Sequence, residues 1–257
     1  QVFSQAGRKV GYMSYNTTQP PFEKPEVRHA LNAAIDKDAL IKAIFQDAGA
    51  IPADNLIPPT MWSWAKDVKS DAYAATPDAL AAVKKVLADN GVTKIDLWAS
   101  DRSRPYNPNF SRAAELIQAD WAKVGVTANI TTEEWTKYRE DGKKKDRPGA
   151  FQIGWSGDNG DPDNFFATLF SCSAIGVSNY SSWCNKDFEN DIQKAKTTAD
   201  MAERTKFYED AQKVFAADAP AFLFAHSQVY VVADKKVSGF VQDPLGMHRF
   251  DGVDVTE

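Results

Sequence analysis

Strand-like and helix-like segments alternate along nearly the whole chain, and this alternation limits the folds that the chain can form. Short apolar or β-branched runs predict strands at residues 9–16, 93–99, 126–132 and 150–155, with two more in 221–243. Helical patterns lie at residues 25–35, 36–48, 76–90, 108–124, 164–170, 185–195 and 201–217, with a further short helix between 132 and 150. Such alternation favours an α/β domain with a mixed sheet.

Several helix boundaries are marked by residues with known preferences for helix ends. Pro25 suits the first turn of a helix, and Asp36 and Thr76 are good N-caps for the next two. Gly91 and Gly125 are expected to end the helices that precede them.

Two extended segments, residues 9–16 and 221–233, lie toward opposite ends of the chain. Such pairs often cross between the two lobes of a protein that closes by hinge motion. Two neighbouring strands of one sheet would give the same sequence pattern, so both interpretations stay open.

The composition is that of a globular protein and excludes several function classes. The 257 residues, 43% hydrophobic and 25% charged, can bury the core of one large or two small domains. A net charge of −5 with interspersed acids and bases argues against a nucleic-acid partner. No apolar run approaches the ~20 residues of a membrane span. The sequence starts QVFSQAGRKV, without an initiator methionine or a signal-peptide pattern, so we expect a mature chain or a fragment.

The two cysteines, Cys172 and Cys184, flank a polar loop. A local disulfide across a loop of this length is favoured and would contribute about 3 kcal/mol. Two free thiols and a metal-binding pair are the alternatives. A disulfide would indicate an oxidising compartment.

The segment GWSGDNGDPDNFF, residues 154–166, has the pattern of a binding site. It follows a predicted strand, and Gly154 and Gly157 would let the backbone approach a ligand closely. Asp158 is then expected beside the flat face of Trp155. A carboxylate next to an aromatic ring suits a primary ammonium group, because charge attraction and hydrogen bonding act together.

Other roles are open for the residues of this segment. Asp158 could cap the following helix, or join Asp161 and Asp163 as calcium ligands, although their spacing departs from the EF-hand loop. A hydrolase could use Asp158 and Asp161 as an acid and base pair. Trp155 could be an ordinary core residue.

Neither histidines nor common catalytic motifs point to an enzyme. His29, His226 and His248 are scattered without metal spacing, so we interpret them as structural. The sequence contains no G-x-S-x-G, H-E-x-x-H, Walker or G-x-G-x-x-G pattern in a fitting context. A docking module is a further alternative, with its partner patch at Trp62, Trp64 and Trp183.

Seven segments carry a resemblance to a known family. They are VGYMSYN, PEVRHALNAAIDKDALIKAIF, NLIPPTMW, SRPYNPN, IQADWAKVGV, GDNGDPDNFFATLFSC and KVSGFVQDPLGMHRF. They resemble the periplasmic dipeptide-binding proteins of bacterial ABC importers, in the peptide and nickel solute-binding family 5. The match extends over nearly the whole chain, but it covers only the C-terminal half of that family.

The resemblance implies a type II periplasmic-binding-protein fold, the Venus flytrap, with a mixed sheet flanked by helices. Residues 17–228 would form the second ligand-binding lobe. Residues 1–16 would be a crossing strand from an N-terminal lobe that this sequence lacks, and residues 229–257 the return strand and tail toward it.

The resemblance also implies two charged contacts to the ligand. The family position that binds the peptide ammonium falls on Asp158, preceded by Trp155, Ser156 and Gly157. The arginine of the dipeptide-specific branch, which binds the peptide carboxylate, falls on Arg104.

Four further residues bear on this assignment. Tyr106 lies beside Arg104, and Arg102 is close enough to be confused with it. If Asp158 and Arg104 face one cavity, their separation would select dipeptides by length, because a longer peptide would bury an unpaired charged terminus. Cys172 and Cys184 match a disulfide pair of this branch.

The function implied is binding rather than catalysis. The resemblance implies a periplasmic or surface-attached monomer, without cofactor or metal, that binds a dipeptide or short peptide and delivers it to an ABC permease. Glutathione, haem, aminolevulinate or a nickel complex are other possible ligands. One lobe lacks the cover that excludes water, so we expect weak binding by this chain alone.

Overall fold

The fold is built on a mixed sheet of seven strands. The structure, a computed structural model, describes residues 1–46 and 49–256. The strands are Val2–Ala6 (β1), Lys9–Tyr15 (β2), Ala50–Pro52 (β3), Lys94–Ser100 (β4), Thr127–Glu133 (β5), Ala150–Ser156 (β6) and Ala221–Val232 (β7). Their order is β1-β7-β2-β6-β4-β5, with β3 paired to β7. β4 runs parallel to β5 and β6, and the other pairs are antiparallel, which confirms the mixed sheet.

Helices cover both faces of this sheet. They are Pro25–Ala33 (α1), Lys37–Phe45 (α2), Pro77–Asp89 (α3), Phe110–Lys123 (α4), Trp135–Gly142 (α5), Asp163–Phe170 (α6), Lys186–Thr197 (α7) and Met201–Asp218 (α8). One apolar cluster contains residues of α1 to α4 and the other contains residues of α5 to α8. Because side chains alternate along a strand, β2 sends Met13 and Tyr15 into the first cluster and Val10 and Tyr12 into the second.

The helix boundaries that were predicted from capping residues, proline and glycine are confirmed. The carboxylate of Asp36 and the hydroxyl of Thr76 each accept a hydrogen bond from the backbone N–H three residues later. Gly91 and Gly125 follow α3 and α4 with φ of 67° and 85°, the left-handed region that glycine adopts readily. Pro25 is the first residue of α1.

Some predicted boundaries are wrong. α1 ends at Ala33, so Ile35 is buried beyond the helix rather than on its face. The strands β1 and β3 were not predicted from their short, mixed sequences. The predicted end of the second helix, near residue 48, lies outside the described residues.

The C-terminal segment contains the two predicted strands, but they differ greatly in length. β7 has 12 residues, whereas the second predicted strand is reduced to Val237–Ser238 (β8), which pairs with Asp254–Val255 (β9). β2 and β7 are antiparallel neighbours, with Met13 opposite Phe222, which confirms the single-sheet interpretation of these two segments. The division at residues 16 and 228 into crossing strands and lobe stays a prediction.

The predicted disulfide between Cys172 and Cys184 is present, and it closes the loop that follows α6. Inside the loop, Asn179 Nδ2 donates to the carbonyls of Ser171 and Trp183 at 3.1 and 2.9 Å. The loop therefore has an internal polar framework besides its covalent closure. No helix within residues 1–46 and 49–256 is both long enough and apolar enough to cross a membrane.

Two of the three histidines have structural contacts. His226 is buried, its Nδ1 lies 3.0 Å from the carbonyl of Lys9, and burial lowers its pKa to about 4. His29 lies between two acceptors: Nδ1 is 2.7 Å from the Asp71 carboxylate and Nε2 is 2.9 Å from the Ala217 carbonyl. The hydrogen bond to Asp71 is the main reason that the pKa of His29 is raised.

The His29 contacts predict a pH-dependent contribution to stability. Only the imidazolium can donate to both acceptors, so the contribution is complete below the unfolded pKa and is lost as pH rises through the raised folded pKa. We expect His29→Gln to destabilise the protein at about pH 5.5 by on the order of 1 kcal/mol, a charged hydrogen bond reduced by solvent screening. The difference from wild type should shrink at about pH 8.5. Urea unfolding of both proteins at the two pH values measures it, and an equal difference at both would contradict it.

Candidate functional site

The segment that follows β6 forms the predicted strand, glycine, carboxylate and helix arrangement. β6 ends at Ser156, Gly157 and Asp158 follow, and α6 begins at Asp163. Trp155 and Ser156 are half-buried, whereas Asp158 is exposed. The carboxylate of Asp158 therefore lies at a surface and is available to a ligand.

A cavity of about 290 Å³ opens beside this segment. Aromatic rings supply much of its wall, together with one carboxylate and one guanidinium. The lining residues are Tyr12, Tyr106, Trp135, Arg139, Ile153, Gly154, Trp155, Ser156, Asp158, Leu169, Val177, Ser178 and Tyr180. Four predicted site residues, Tyr106, Trp155, Ser156 and Asp158, thus meet in one cavity.

The two glycines of this region serve the protein's own packing. A Cβ at Gly154 would lie 2.3 Å from Cδ2 of Tyr106, and one at Gly157 would lie 2.8 Å from Cζ of Phe165. Rings of the protein occupy the space on the side where a Cβ would lie. The missing Cβ atoms let Tyr106 and Phe165 pack against the backbone of β6 and of the segment after it, and Gly154 also lines the cavity.

Tyr106 is held under the cavity by the turn that carries Arg104. The backbones of Arg104 and Asn107 exchange two hydrogen bonds of 3.0 Å, which makes the turn compact. Burial raises the pKa of the Tyr106 hydroxyl, and the neighbouring Arg104 guanidinium lowers it by a smaller amount. The hydroxyl is consequently a neutral hydrogen-bonding group at physiological pH.

Arg104 adjoins the cavity wall without lining the cavity. Its guanidinium carbon lies 3.7 Å from the ring centroid of Trp135, a close cation–π contact. It lines instead a neighbouring open groove of about 430 Å³, together with Ser103, Pro105 and Tyr230. Asp158 and Arg104 therefore do not face one cavity in this structure, although Arg104 contacts a residue of its wall.

Arg102 differs from Arg104 in its surroundings. It is exposed, and its Nε lies 3.8 Å from the Asp101 carboxylate. Arg139, which was not singled out from the sequence, lines the cavity and lies 5.8 Å from the Trp135 ring centroid. Trp135 thus has a guanidinium group at 3.7 Å and another at 5.8 Å.

Asn164 is a residue of this site that sequence reasoning missed. Its carboxamide accepts hydrogen bonds from the indole of Trp155 and the backbone N–H of Asp158, and it donates one to the Asp158 carboxylate. The available signal was an asparagine in the first turn of a mostly apolar helix, directly after the aspartate-rich segment.

The alternative roles of the three aspartates are not favoured by their contacts. Asp161 pairs with Arg204 at 2.8 Å, and Asp163 pairs with Lys196 at 3.4 Å. Within the described part of the chain, no group of three or more His, Cys, Asp or Glu residues could hold a metal ion. The backbone N–H of Asp163, at the start of α6, donates to Asp161 Oδ1, whereas the Asp158 carboxylate accepts from the side chain of Asn164, so Asp158 does not cap this helix.

The three tryptophans proposed as a docking patch do not lie together at the surface. Trp62 is 37% exposed and lies with its ring 5.3 Å from the Arg204 guanidinium, but Trp183 is only 4% exposed. The indole nitrogen of Trp183 donates to the Asp218 carboxylate at 2.8 Å. The three tryptophans Trp62, Trp64 and Trp183 therefore do not form an exposed surface together.

The disulfide loop and a stack of aromatic rings form the far wall of the cavity. Val177, Ser178 and Tyr180 of the loop line the cavity. We use "aromatic stack" for Trp135, Tyr138, Phe151 and Tyr180, whose successive ring centroids lie 6.2, 4.1 and 5.1 Å apart. Its two end members line the cavity, so the stack links α5, β6 and the disulfide loop.

A family model and several known proteins match this chain. The model of the bacterial extracellular solute-binding proteins, family 5 Middle, matches residues 1–177. The dipeptide-binding protein of Escherichia coli (strain K12) is 50% identical over 256 residues, which are 99% of this chain and 47% of that protein. The chain thus spans about half the length of the curated relatives it matches.

Solved structures of similar proteins share the fold. HbpA2 from Haemophilus parasuis is 35% identical with a TM-score of 0.93, over 100% of this chain and 50% of that one. The dipeptide binding protein from Pseudoalteromonas sp. SM9913 in complex with Met-Leu is 30% identical with a TM-score of 0.83, again over 100% and 50%. These matches confirm the predicted periplasmic-binding-protein fold class. The chain belongs to the bacterial extracellular solute-binding proteins of family 5.

Proposed function

We propose that this chain is a ligand-binding part of a periplasmic receptor that binds dipeptides or short peptides for an ABC importer. The observation that carries the proposal is an exposed carboxylate, Asp158, in a cavity walled by aromatic rings. This is the chemistry that a peptide ammonium requires. A non-enzymatic binding role fits, because Asp161, the second acid of the hydrolase alternative, is paired with Arg204.

The carboxylate end of the ligand is assigned to Arg104. Its guanidinium stacks on Trp135, and its Nη1 donates a long hydrogen bond of 3.4 Å to the Ser103 carbonyl. Stacking leaves the edge of the planar guanidinium for a bidentate contact to a carboxylate. Since Arg104 adjoins the wall, the ligand would extend from Asp158 past Trp135 to the edge of the groove.

The rest of the receptor is proposed to pack against the C-terminal end of β7 and the segment that follows it. Val232 at the end of β7 and Val241 in the segment after it are apolar side chains that are 79% and 76% exposed. We assign residues 1–16 and 229–257 to the crossing segments and residues 17–228 to the lobe. The disulfide supports a periplasmic location, and an ABC permease would be the partner.

The test of the ligand assignment compares Arg104→Gln with Arg102→Gln in the full-length protein that contains this chain. Isothermal titration with Ala-Ala should show a loss of roughly 10- to 150-fold for Arg104→Gln, the value of a charged hydrogen bond of about 1.5–3 kcal/mol. Arg102→Gln, on the same loop but paired with Asp101, should bind as wild type does.

A modified ligand shows whether the effect acts on the carboxylate. Ala-Ala amide should bind weakly to wild type and lose little more in Arg104→Gln. Equal binding of Ala-Ala by wild type and Arg104→Gln would move the assignment to another cation, with Arg139 as the nearest alternative at this wall. No binding of Ala-Ala by wild type, with tight binding of glutathione, haem, aminolevulinate or a nickel complex, would contradict the peptide assignment.

A further inference from the structure

The side chain of Asn164 forms hydrogen bonds with both residues of the proposed ammonium site, Trp155 and Asp158. Its Oδ1 accepts from the Trp155 indole nitrogen at 2.8 Å and from the Asp158 backbone N–H at 2.9 Å. Its Nδ2 donates to Oδ2 of Asp158 at 3.1 Å. Indole and backbone N–H groups only donate and a carboxylate only accepts, so these partners fix the orientation of the carboxamide.

The segment that carries Asp158 has few other anchors close to the carboxylate. The backbone N–H of Gly157 donates to the Arg8 carbonyl at 2.8 Å, and Asp161 pairs with Arg204 at 2.8 Å. Between these points, Asn164 makes the one side-chain hydrogen bond to the Asp158 carboxylate that is found among residues 1–46 and 49–256. The direction of that carboxylate therefore depends on Asn164.

Asn164 is itself firmly placed. It lies in the first turn of α6, directly before Phe165 and Phe166, and both of these rings are fully buried. An aspartate at this position would lack the donor, an alanine would lack both groups, and a glutamine would reach one methylene further. An asparagine fits both partners from this rigid helix.

We infer that Asn164 is a positioning residue, which holds the Asp158 carboxylate and the Trp155 indole at a fixed separation and so selects an amine on the ligand's α-carbon. The inference rests on the proposed function. Because Asn164 holds Oδ2 of Asp158, Oδ1 is the carboxylate oxygen left for the ligand amine. A preorganised site gains affinity because less ordering is needed on binding, and it discriminates against a displaced amine.

The first test measures affinity and selectivity in the full-length protein. Ala-Ala is compared with β-Ala-Ala, whose amine is one methylene further from the peptide bond, for wild type, Asn164→Ala and Thr168→Ala. Thr168 lies one turn along α6 and is the matched control. Asn164→Ala should bind Ala-Ala about tenfold more weakly and lose less for β-Ala-Ala, so selectivity falls. An unchanged dissociation constant and an unchanged ratio would overturn the inference.

A double-mutant cycle tests whether Asn164 acts through Asp158. In the Asp158→Asn background, Asn164→Ala should change the affinity for Ala-Ala by no more than about twofold, because the carboxylate that it positions is gone. A full tenfold loss in that background would show an independent structural effect and overturn the inference. If Asp158→Asn alone weakens binding while Asn164→Ala does not, the inference fails and the proposed function stands.

A measurement without ligand keeps the two proposals separate. The indole N–H of Trp155, identified in ¹H–¹⁵N spectra by its loss in Trp155→Phe, should exchange with solvent faster in Asn164→Ala than in wild type or Thr168→Ala. An unchanged exchange rate would overturn the positioning role. If wild type does not bind Ala-Ala, the proposed function fails and the selectivity for an α-amine falls with it, whatever the exchange rate shows.

Discussion

Asp158→Asn is expected to weaken Ala-Ala binding to the full-length protein by roughly 10- to 150-fold, because the ammonium loses a charge-assisted hydrogen bond of about 1.5–3 kcal/mol. Asparagine keeps the size of the side chain, so the loss reports the charge. The residue is exposed, and its backbone contact to Asn164 does not need the carboxylate, so stability should change little. Isothermal titration measures the binding, and urea unfolding measures the stability.

A blocked ligand and a distant aspartate serve as controls for this variant. N-acetyl-Ala-Ala has no ammonium, so it should bind weakly to wild type and lose little more in Asp158→Asn. Asp67, which is also exposed but lies outside the cavity lining, should tolerate the same substitution without an effect on binding. Equal Ala-Ala affinity in wild type and Asp158→Asn would place the ammonium elsewhere.

The second large effect is expected on stability, from the centre of the aromatic stack. Phe151 is fully buried, its ring centroid lies 4.1 Å from that of Tyr138 and 5.1 Å from that of Tyr180, and Arg147 lies 4.8 Å from its ring. Phe151→Ala should lower the free energy of unfolding by about 3–5 kcal/mol, since it removes buried surface and leaves a cavity. Urea unfolding of the purified variant gives this value.

The matched control for Phe151 is another phenylalanine with little packing. Phe250 is 70% exposed, and Phe250→Ala should stay within about 0.5 kcal/mol of wild type. A loss below about 1 kcal/mol in Phe151→Ala would mean that the stack relaxes to fill the space and does not support the cavity wall.

Local features of the fold could be predicted from the sequence because they depend on neighbouring residues. Asp36 and Thr76 cap helices through backbone groups three residues away. The order of β6, Gly157, Asp158 and α6 follows from one short segment in the same way. The disulfide also closes a short loop, so its spacing alone favoured it.

The parts that were missed depend on contacts between distant segments. β1 is a strand because it pairs with the end of β7, and its own sequence is short and mixed. Trp135 and Tyr180 both line the cavity and are linked by a stack of rings that joins separate elements. The direction of Arg104, toward the groove and the face of Trp135, is likewise set by packing that no local pattern encodes.

Asn164 illustrates a third reason why part of the site could not be predicted from the sequence. Its position at the start of a helix was visible in the sequence, and the segment around it was already of interest. Its role depends on two hydrogen bonds: its Oδ1 accepts from Trp155, and its Nδ2 donates to Asp158. The directions of these two groups follow only from the three-dimensional structure. The packing of rings against Gly154 and Gly157 was missed similarly, because a missing Cβ does not tell which atoms occupy its place.

A crystal structure of the full-length protein with bound Ala-Ala is the most direct measurement of the two-ended binding of a dipeptide. We expect the ligand amine at about 2.7–2.9 Å from the Asp158 carboxylate and the ligand carboxylate on the Arg104 guanidinium. A dipeptide seated away from Asp158, or one whose amine is held by another group, would contradict the proposed function.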